Sequence, residues 1–278
     1  MTDFGLFQTQ NAEMAQLLQR AEVVAMTPAP VLISGERGVG KTLLTQLLCE
    51  KGQWTQGLKR WDHQGRGLPE LNSGDWVLIE GLEEMDSYNQ VALSQKMDEL
   101  RAQNFRIRWI ATTAARPQQL FAEKKIRDDL FYRLSVIHLA IPSLQVRPED
   151  ILPLSEFFMK MFSVMRNRSG MNFADSAAKK LQAHTWPGNV AELENVIERA
   201  ISLATDDVID HDLIQFDHPN ERAMAQMGTT LSDMEKKLIL QTLQLTRQNK
   251  TRAAQILGIS IRTLRNKLNI YREQGLVI

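Results

Sequence analysis

Residues 35–42 read GERGVGKT. Glycines at this spacing let a main chain curl until its N–H groups converge on one point, and a lysine and a threonine complete the curl. That combination suits phosphate. Lys41 would reach the β- and γ-phosphates and the Thr42 hydroxyl would hold Mg²⁺. Gly35, Gly38, Val39 and Gly40 would offer backbone amides, and the dipole of a following helix would add to them. ATP or ADP with Mg²⁺ is therefore the expected ligand. The alternative is an accidental glycine-rich turn, which an average glycine usage of ~7% makes rare at this spacing. The loop also lies where the chemistry needs it, between the apolar run Val31–Ser34 and a helical apolar pattern over Leu43–Leu48.

A second stretch, Val77–Asp86, reads VLIEGLEEMD. An apolar run ending in an acid is similar to the catalytic strand of an ATPase. Glu80 is that acid. Gly81 follows it, and glycine has no side chain to do chemistry. Glu83 and Glu84 come next, but a loop or helix start there is expected to direct them elsewhere.

The rest of the chain must position these groups. Its 278 residues suffice for two or three compact units. Strands are expected at Val31–Ser34, Leu58–Asp62, Trp76–Glu80, Phe105–Thr112 and Val136–Ile141. Helices are expected at Ala12–Ala25, Tyr88–Arg101 and Arg127–Arg133. Alternation of this kind predicts a parallel α/β sheet with helices on both faces. Beyond Pro142 the strands are expected to stop. Helices then fill Pro148–Arg166, Asp175–His184 and Val190–Ala204, with Asn189 of WPGN capping the last. The stretch 217–229 is polar and aperiodic, as a linker is.

No apolar run is long enough to span a membrane, and the first residues lack the pattern of a secretory signal, so a cytoplasmic protein is expected. The single cysteine, Cys49, rules out an internal disulfide and reads as a buried structural thiol. The five histidines show no metal-ligand spacing. Net charge is zero overall, yet from Thr229 onward nine Lys/Arg face three Asp/Glu, leaving +6 on the tail and −6 on the body. A basic tail on an acidic body suggests double-stranded DNA as a partner. In that tail Leu231, Met234, Leu238 and Leu245 form one apolar stripe, suited to a dimer-forming helix. Thr251 caps a second helix, Gly258 turns the chain, and Ser260 caps a third. On the third, Ile261, Leu264, Leu268 and Tyr271 recur at helical spacing as a buried face. Arg262, Thr263, Arg265, Asn266 and Lys267 lie on the other faces and suit base edges and phosphates. Arg252 and Arg272 suit phosphate. The alternative is a basic helical hairpin used for assembly.

PVLISGERGVGKT, IRDDLFYRLSVIHLAIPSL, RPEDI and WPGNVAELENVIERAISLA together resemble the AAA+ domain of sigma-54-dependent transcriptional activators, the bacterial enhancer-binding proteins. NKTRAAQILGISIRTLRNKL resembles their Fis-type helix-turn-helix. The resemblance spans nearly the whole chain and implies an α/β AAA+ subdomain over 1–142, a helical lid over 143–216, a linker over 217–229 and an all-α DNA-binding domain over 230–278. It also implies an ATPase ring that remodels the sigma-54 holoenzyme. Several departures qualify that expectation. The family strand ends in Asp-Glu, where this chain has Glu80 and Gly81. Ala114 stands at a polar sensor position and Ala191 at a lid arginine. No GAFTGA, the family's polymerase-contact loop, lies between Lys41 and Glu80, and the loop before WIATT is short. No receiver or sensory domain is expected ahead of Phe7. Arg127 and Arg133 match the family's arginine fingers, which act on a neighbour's nucleotide; the alternative is two ordinary surface arginines.

The expectation is thus a DNA-binding regulator that binds ATP, hydrolyses it poorly and does not remodel sigma-54 polymerase by itself. It would dimerise through its C-terminal domain, or join a higher or mixed ring with a related AAA+ regulator. Two alternatives stand beside it: an active ATP-hydrolysing activator, and a regulatory subunit supplying Arg127 and Arg133 to a partner's site.

Overall fold

A computed structural model describes residues 7, 9–52, 57–61, 68–166, 168, 170–216, 250, 252, 264, 267 and 268. The chain divides into two compact units, Met1–Gln215 and Phe216–Ile278.

In the first unit five parallel strands form one sheet: β1 (Val31–Ser34), β2 (Leu58–Trp61), β3 (Trp76–Ile79), β4 (Arg108–Thr113) and β5 (Ile137–Ala140), in the order β2-β3-β4-β1-β5. Register sets Ser34 beside Thr113, and Ile79 beside Ala111. The C-terminal ends of β1, β3 and β4 therefore share one edge, where ligands bind in open α/β sheets. Strands buried on both faces read as continuous apolar runs, and β1, β3 and β4 are buried throughout. Alternate residues feed two cores. One gathers Val31, Ile33, Trp76 and Leu78 against α1 (Ala12–Ala25) and α2 (Lys41–Lys51). The other gathers Leu32, Val77, Ile79 and Trp109 against α3 (Ser87–Ala102), α4 (Pro117–Ala122) and α5 (Asp128–Leu134). The predicted helix-covered parallel sheet is present. Helix α4 was not anticipated; Pro117 at its start supplies the fixed φ of a first helical turn.

Helices α6 (Ile151–Met165), α7 (Asp175–Ala183) and α8 (Asn189–Leu203) follow. The expectation that strands stop after Pro142 is not met. Two residues of β6 (Asn172–Phe173) pair in parallel with two of β7 (Val208–Ile209) and tie the segment after α6 to the segment after α8. Segments this short carry no periodicity to read.

Arg108 is fully buried, although charged residues rarely are. Its guanidinium caps the C-terminal end of α1. It donates to the Thr27 carbonyl and, at 2.9 Å, to the Val24 carbonyl, and it lies 5.4 Å from the Trp76 ring centre. Burial pushes Arg108 down to about 10, and burial pushes the neighbouring Cys49 thiol up to about 12. A thiol so far above neutrality is a poor nucleophile, in keeping with a structural role.

Among the described residues no helix is long and apolar enough to cross a membrane, and no group of His, Cys, Asp or Glu could hold a metal ion by itself.

In the second unit Lys250, Arg252, Leu264, Lys267 and Leu268 are helical. Leu264 and Leu268 are buried, as the apolar stripe predicts, and Arg252 is exposed. Thr251, Ser260, Arg262, Thr263, Arg265 and Asn266 lie outside the described residues, as do the expected linker and dimer-forming helix.

Candidate functional site

The phosphate loop follows β1 directly and enters α2 through Gly40, whose φ of 106° only glycine adopts without strain. The Lys41 ammonium folds back onto its own loop and donates to the Gly35 and Glu36 carbonyls at 2.6 and 2.8 Å. Burial lowers its pKa. Glu83 opposes this most strongly, Arg37 adds to it and Glu36 opposes it.

Beside the loop, the Thr42 hydroxyl donates to the Glu80 carboxylate at 3.4 Å. These are hard oxygen donors, one in the first turn of α2 and one just past the end of β3, and Mg²⁺ takes one or two such protein oxygens and fills its remaining positions with phosphate and water. The pair fits a nucleotide-borne Mg²⁺.

Gly81 has φ 67° and ψ 53°, in the left-handed region. This reverses the chain into a single 3₁₀ turn, Leu82–Glu84. One consequence corrects the expectation that both following acids face away. Glu84 does pair with Arg37 of the phosphate loop at 3.0 Å, on the surface. Glu83 turns inward. One carboxylate oxygen accepts from the Ala114 amide at 2.9 Å, and the other is buried without a hydrogen-bond partner. The sequence could not show this, because the direction of Glu83 depends on the sign of φ two residues earlier.

The lid closes the other side. Asn189 is not the cap that the sequence suggested; Gly188 takes that position, and the Glu192 carboxylate accepts from the Gly188 amide at 2.8 Å. The Asn189 side chain crosses to the phosphate loop instead. It donates to the Glu36 carboxylate and to the Arg37 carbonyl, both at 3.0 Å, and accepts from the Leu144 amide at 2.7 Å. It is fully buried at φ 55°. Next to it the Ala191 amide donates to the Gly38 carbonyl at 3.1 Å. Ala114 and Ala191 thus both make these contacts through their backbone amides.

Between loop and lid lies a cavity of about 560 Å³, within the range of small-ligand sites. Residues 37–42 form its polar end, while Phe7, Leu43, Leu154, Phe157, Phe158 and Met161 form an apolar end. Gly38, Val39, Gly40, Lys41 and Thr42 line this cavity, with Gly35 against Lys41 and Glu80 against Thr42. Arg127 and Arg133 are held elsewhere by their own chain. Arg127 pairs with Asp129 at 3.0 Å and Arg133 with Asp98 at 2.5 Å, both partly exposed.

Three family models match the chain in succession. A sigma-54 interaction domain matches residues 9–144, an AAA+ ATPase lid domain residues 145–230, and the bacterial regulatory protein, Fis family, residues 230–271. Transcriptional regulatory protein FlbD of Caulobacter vibrioides is 31% identical over 328 residues, spanning 97% of this chain and 71% of FlbD. The chain belongs to the sigma-54-dependent transcriptional regulators. Regulatory protein AtoC of Escherichia coli, another relative, is 31% identical over 96% of this chain and 68% of its own. Among solved structures, NtrX from Brucella abortus in complex with ADP superposes with a TM-score of 0.65 at 24% identity, covering 95% of this chain and 69% of NtrX. RuvB of Thermotoga maritima superposes at 0.52 and 16% identity, covering 91% and 82%. Those two likenesses show the shared AAA+ fold. This sigma-54-family regulator therefore joins an AAA+ domain to a Fis-type DNA-binding segment.

Proposed function

We propose that the protein is a DNA-bound regulator that holds ATP with Mg²⁺ at the phosphate loop, hydrolyses it weakly, and does not remodel sigma-54 polymerase by itself. One observation carries the reading: an intact phosphate loop stands beside Gly81, a left-handed glycine where a water-orienting carboxylate is needed. Removing such a group costs roughly 10²–10⁴ in rate. Thr42 and Glu80 hold the ion in this reading, and Mg²⁺ when bound would neutralise charge on the phosphates. Gly35, Gly38, Val39, Gly40 and Lys41 bind the phosphates and Asn189 keeps the lid on the loop. The absence of GAFTGA between Lys41 and Glu80 supports the lack of a polymerase contact. Partition into an α/β subdomain (1–142), lid (143–216), linker (217–229) and DNA-binding domain (230–278) belongs to the same proposal. So does dimerisation through the last of these, alone or within a larger or mixed ring.

The test is a purified transcription reaction with sigma-54 polymerase, ATP and an enhancer template. Calorimetry should show ATP binding, while the reaction yields no transcript. A transcript made by this protein alone overturns the proposal.

DNA contact is assigned to Thr251, Arg252, Ser260, Arg262, Thr263, Arg265, Asn266 and Lys267. Arg265→Ala should weaken specific binding by about 1–3 kcal/mol if it reads a base edge, and leave random DNA nearly unaffected. Arg272→Ala, on phosphate, should weaken both alike. Gel-shift titrations on selected and random duplexes separate the two patterns.

A further inference from the structure

We propose that Glu83 supplies the water-orienting carboxylate that Gly81 lacks, so that the slow hydrolysis left to this site runs through a residue on the turn beyond β3. This rests on the reading that ATP binds at the phosphate loop.

The observations converge on one side chain. Glu80, at the end of β3, is engaged with Thr42 on the metal side of the loop. Gly81 contributes nothing beyond Cα, and its left-handed backbone folds the next residues back toward the end of β4. There one Glu83 oxygen is pinned by the Ala114 amide at 2.9 Å. The other is buried and unpartnered among the described residues. A carboxylate oxygen without a donor is costly inside a protein, and such groups cluster where a substrate or water completes the set. The location fits. Glu83 is held at the end of β4 through the Ala114 amide, and there the Thr113 carbonyl accepts from the Gly35 amide at the start of the phosphate loop at 3.2 Å; its charge also raises the Lys41 pKa more than that of Glu36. Ala114 leaves its amide free of side-chain competition, and this pins the carboxylate in one orientation.

The step balances without a further reagent. A water oxygen forms a bond to the γ-phosphorus. The bond from that phosphorus to the β–γ bridging oxygen breaks, and its electron pair leaves with ADP. The water proton passes to Glu83 and from there to inorganic phosphate or solvent. The Glu83 carboxylate is thus a general base held by a backbone amide.

Glu83→Gln is the decisive variant. Its amide oxygen can still accept from Ala114, so the turn keeps its anchor, and a melting curve matching wild type confirms that. Under single-turnover conditions, with full-length protein in excess over ATP and Mg²⁺ present, wild type should convert ATP above the level of Lys41→Ala. Glu83→Gln should be slower by at least about 10², while its ATP affinity by calorimetry stays within ~3-fold of wild type. A second readout needs no turnover. Aluminium fluoride should raise wild-type affinity for ADP, and that gain should vanish in Glu83→Gln while affinity for ADP alone is kept. ATP binding with no conversion in wild type, or conversion unchanged by Glu83→Gln, overturns this inference and leaves the nucleotide-binding reading standing. Absence of ATP binding in wild type sinks both.

Discussion

Asn189→Ala should cost about 3–5 kcal/mol of folding stability, read as a lowered midpoint and free energy in urea unfolding. The argument is a count of groups left behind. Asn189 is fully buried and bridges three partners from two segments distant in sequence. Alanine strands the buried Leu144 amide, worth roughly 1–3 kcal/mol without a partner, and removes a part-buried bond to the Arg37 carbonyl, worth about 1 kcal/mol. It must also hold φ 55°, which asparagine tolerates and alanine does not, for about a further 1 kcal/mol. Asn189→Gly removes the last contribution and keeps the others, so it should recover only part of the loss. Asn189→Asp preserves the acceptor for Leu144 but sets a carboxylate against Glu36, and it should resemble alanine. If Asn189→Ala shifted stability by less than ~1 kcal/mol, the lid would not be clamped through this residue.

Gly38→Ala is expected to weaken ATP binding by roughly 10²-fold or more, equivalent to about 3 kcal/mol, and to release the lid. A Cβ at Gly38 would stand 2.1 Å from the Gly188 carbonyl oxygen and 3.1 Å from the Ala191 Cβ. The nearer atom is backbone, so no rotamer change relieves it; loop and lid must separate. Separation breaks the bond from the Ala191 amide to the Gly38 carbonyl and opens the cavity that would take the base. Hydrogen exchange at the Ala191 amide should therefore accelerate together with the loss of affinity. Gly170→Ala provides the control. Gly170 has nearly the same φ, 82°, but nothing within 4 Å of the added atom. It should show the conformational cost alone, about 1 kcal/mol, with ATP affinity intact. Equal effects of the two substitutions on affinity would show that the clash is not what matters.

Much of this was legible in sequence because it is local. The phosphate loop declares itself through three glycines, a lysine and a threonine, and β1, β3 and β4 through unbroken apolar runs. The buried stripe of Leu264 and Leu268 follows from helical spacing. What stayed hidden depended on meetings between distant segments or on the sign of one dihedral angle. Asn189 looks like any helix cap after Pro-Gly, and only the closed lid shows that it is spent on the phosphate loop instead. Glu83 looks like a surface acid in LEEMD until Gly81 turns the chain. Arg108 sits in an ordinary strand, with nothing in its neighbours to announce that it caps a helix about eighty residues earlier. Two-residue strands such as β6 and β7 are below the length at which alternation means anything.

The left-handed turn at Gly81 also bears on how such a protein can change over generations. At φ 67° and ψ 53° a glutamate in its place is strained by roughly 1–2 kcal/mol. Its Cβ would meet the Glu84 carboxylate only at 3.5 Å, an ordinary contact, so the strain is in the backbone. Placing an acid there by a single substitution therefore meets an uphill step before any catalytic benefit. Glu83, in contrast, is open to gradual improvement, since each neighbour of its unpartnered oxygen can be altered singly. The turn thus makes change around Glu83 less costly than an acid at position 81.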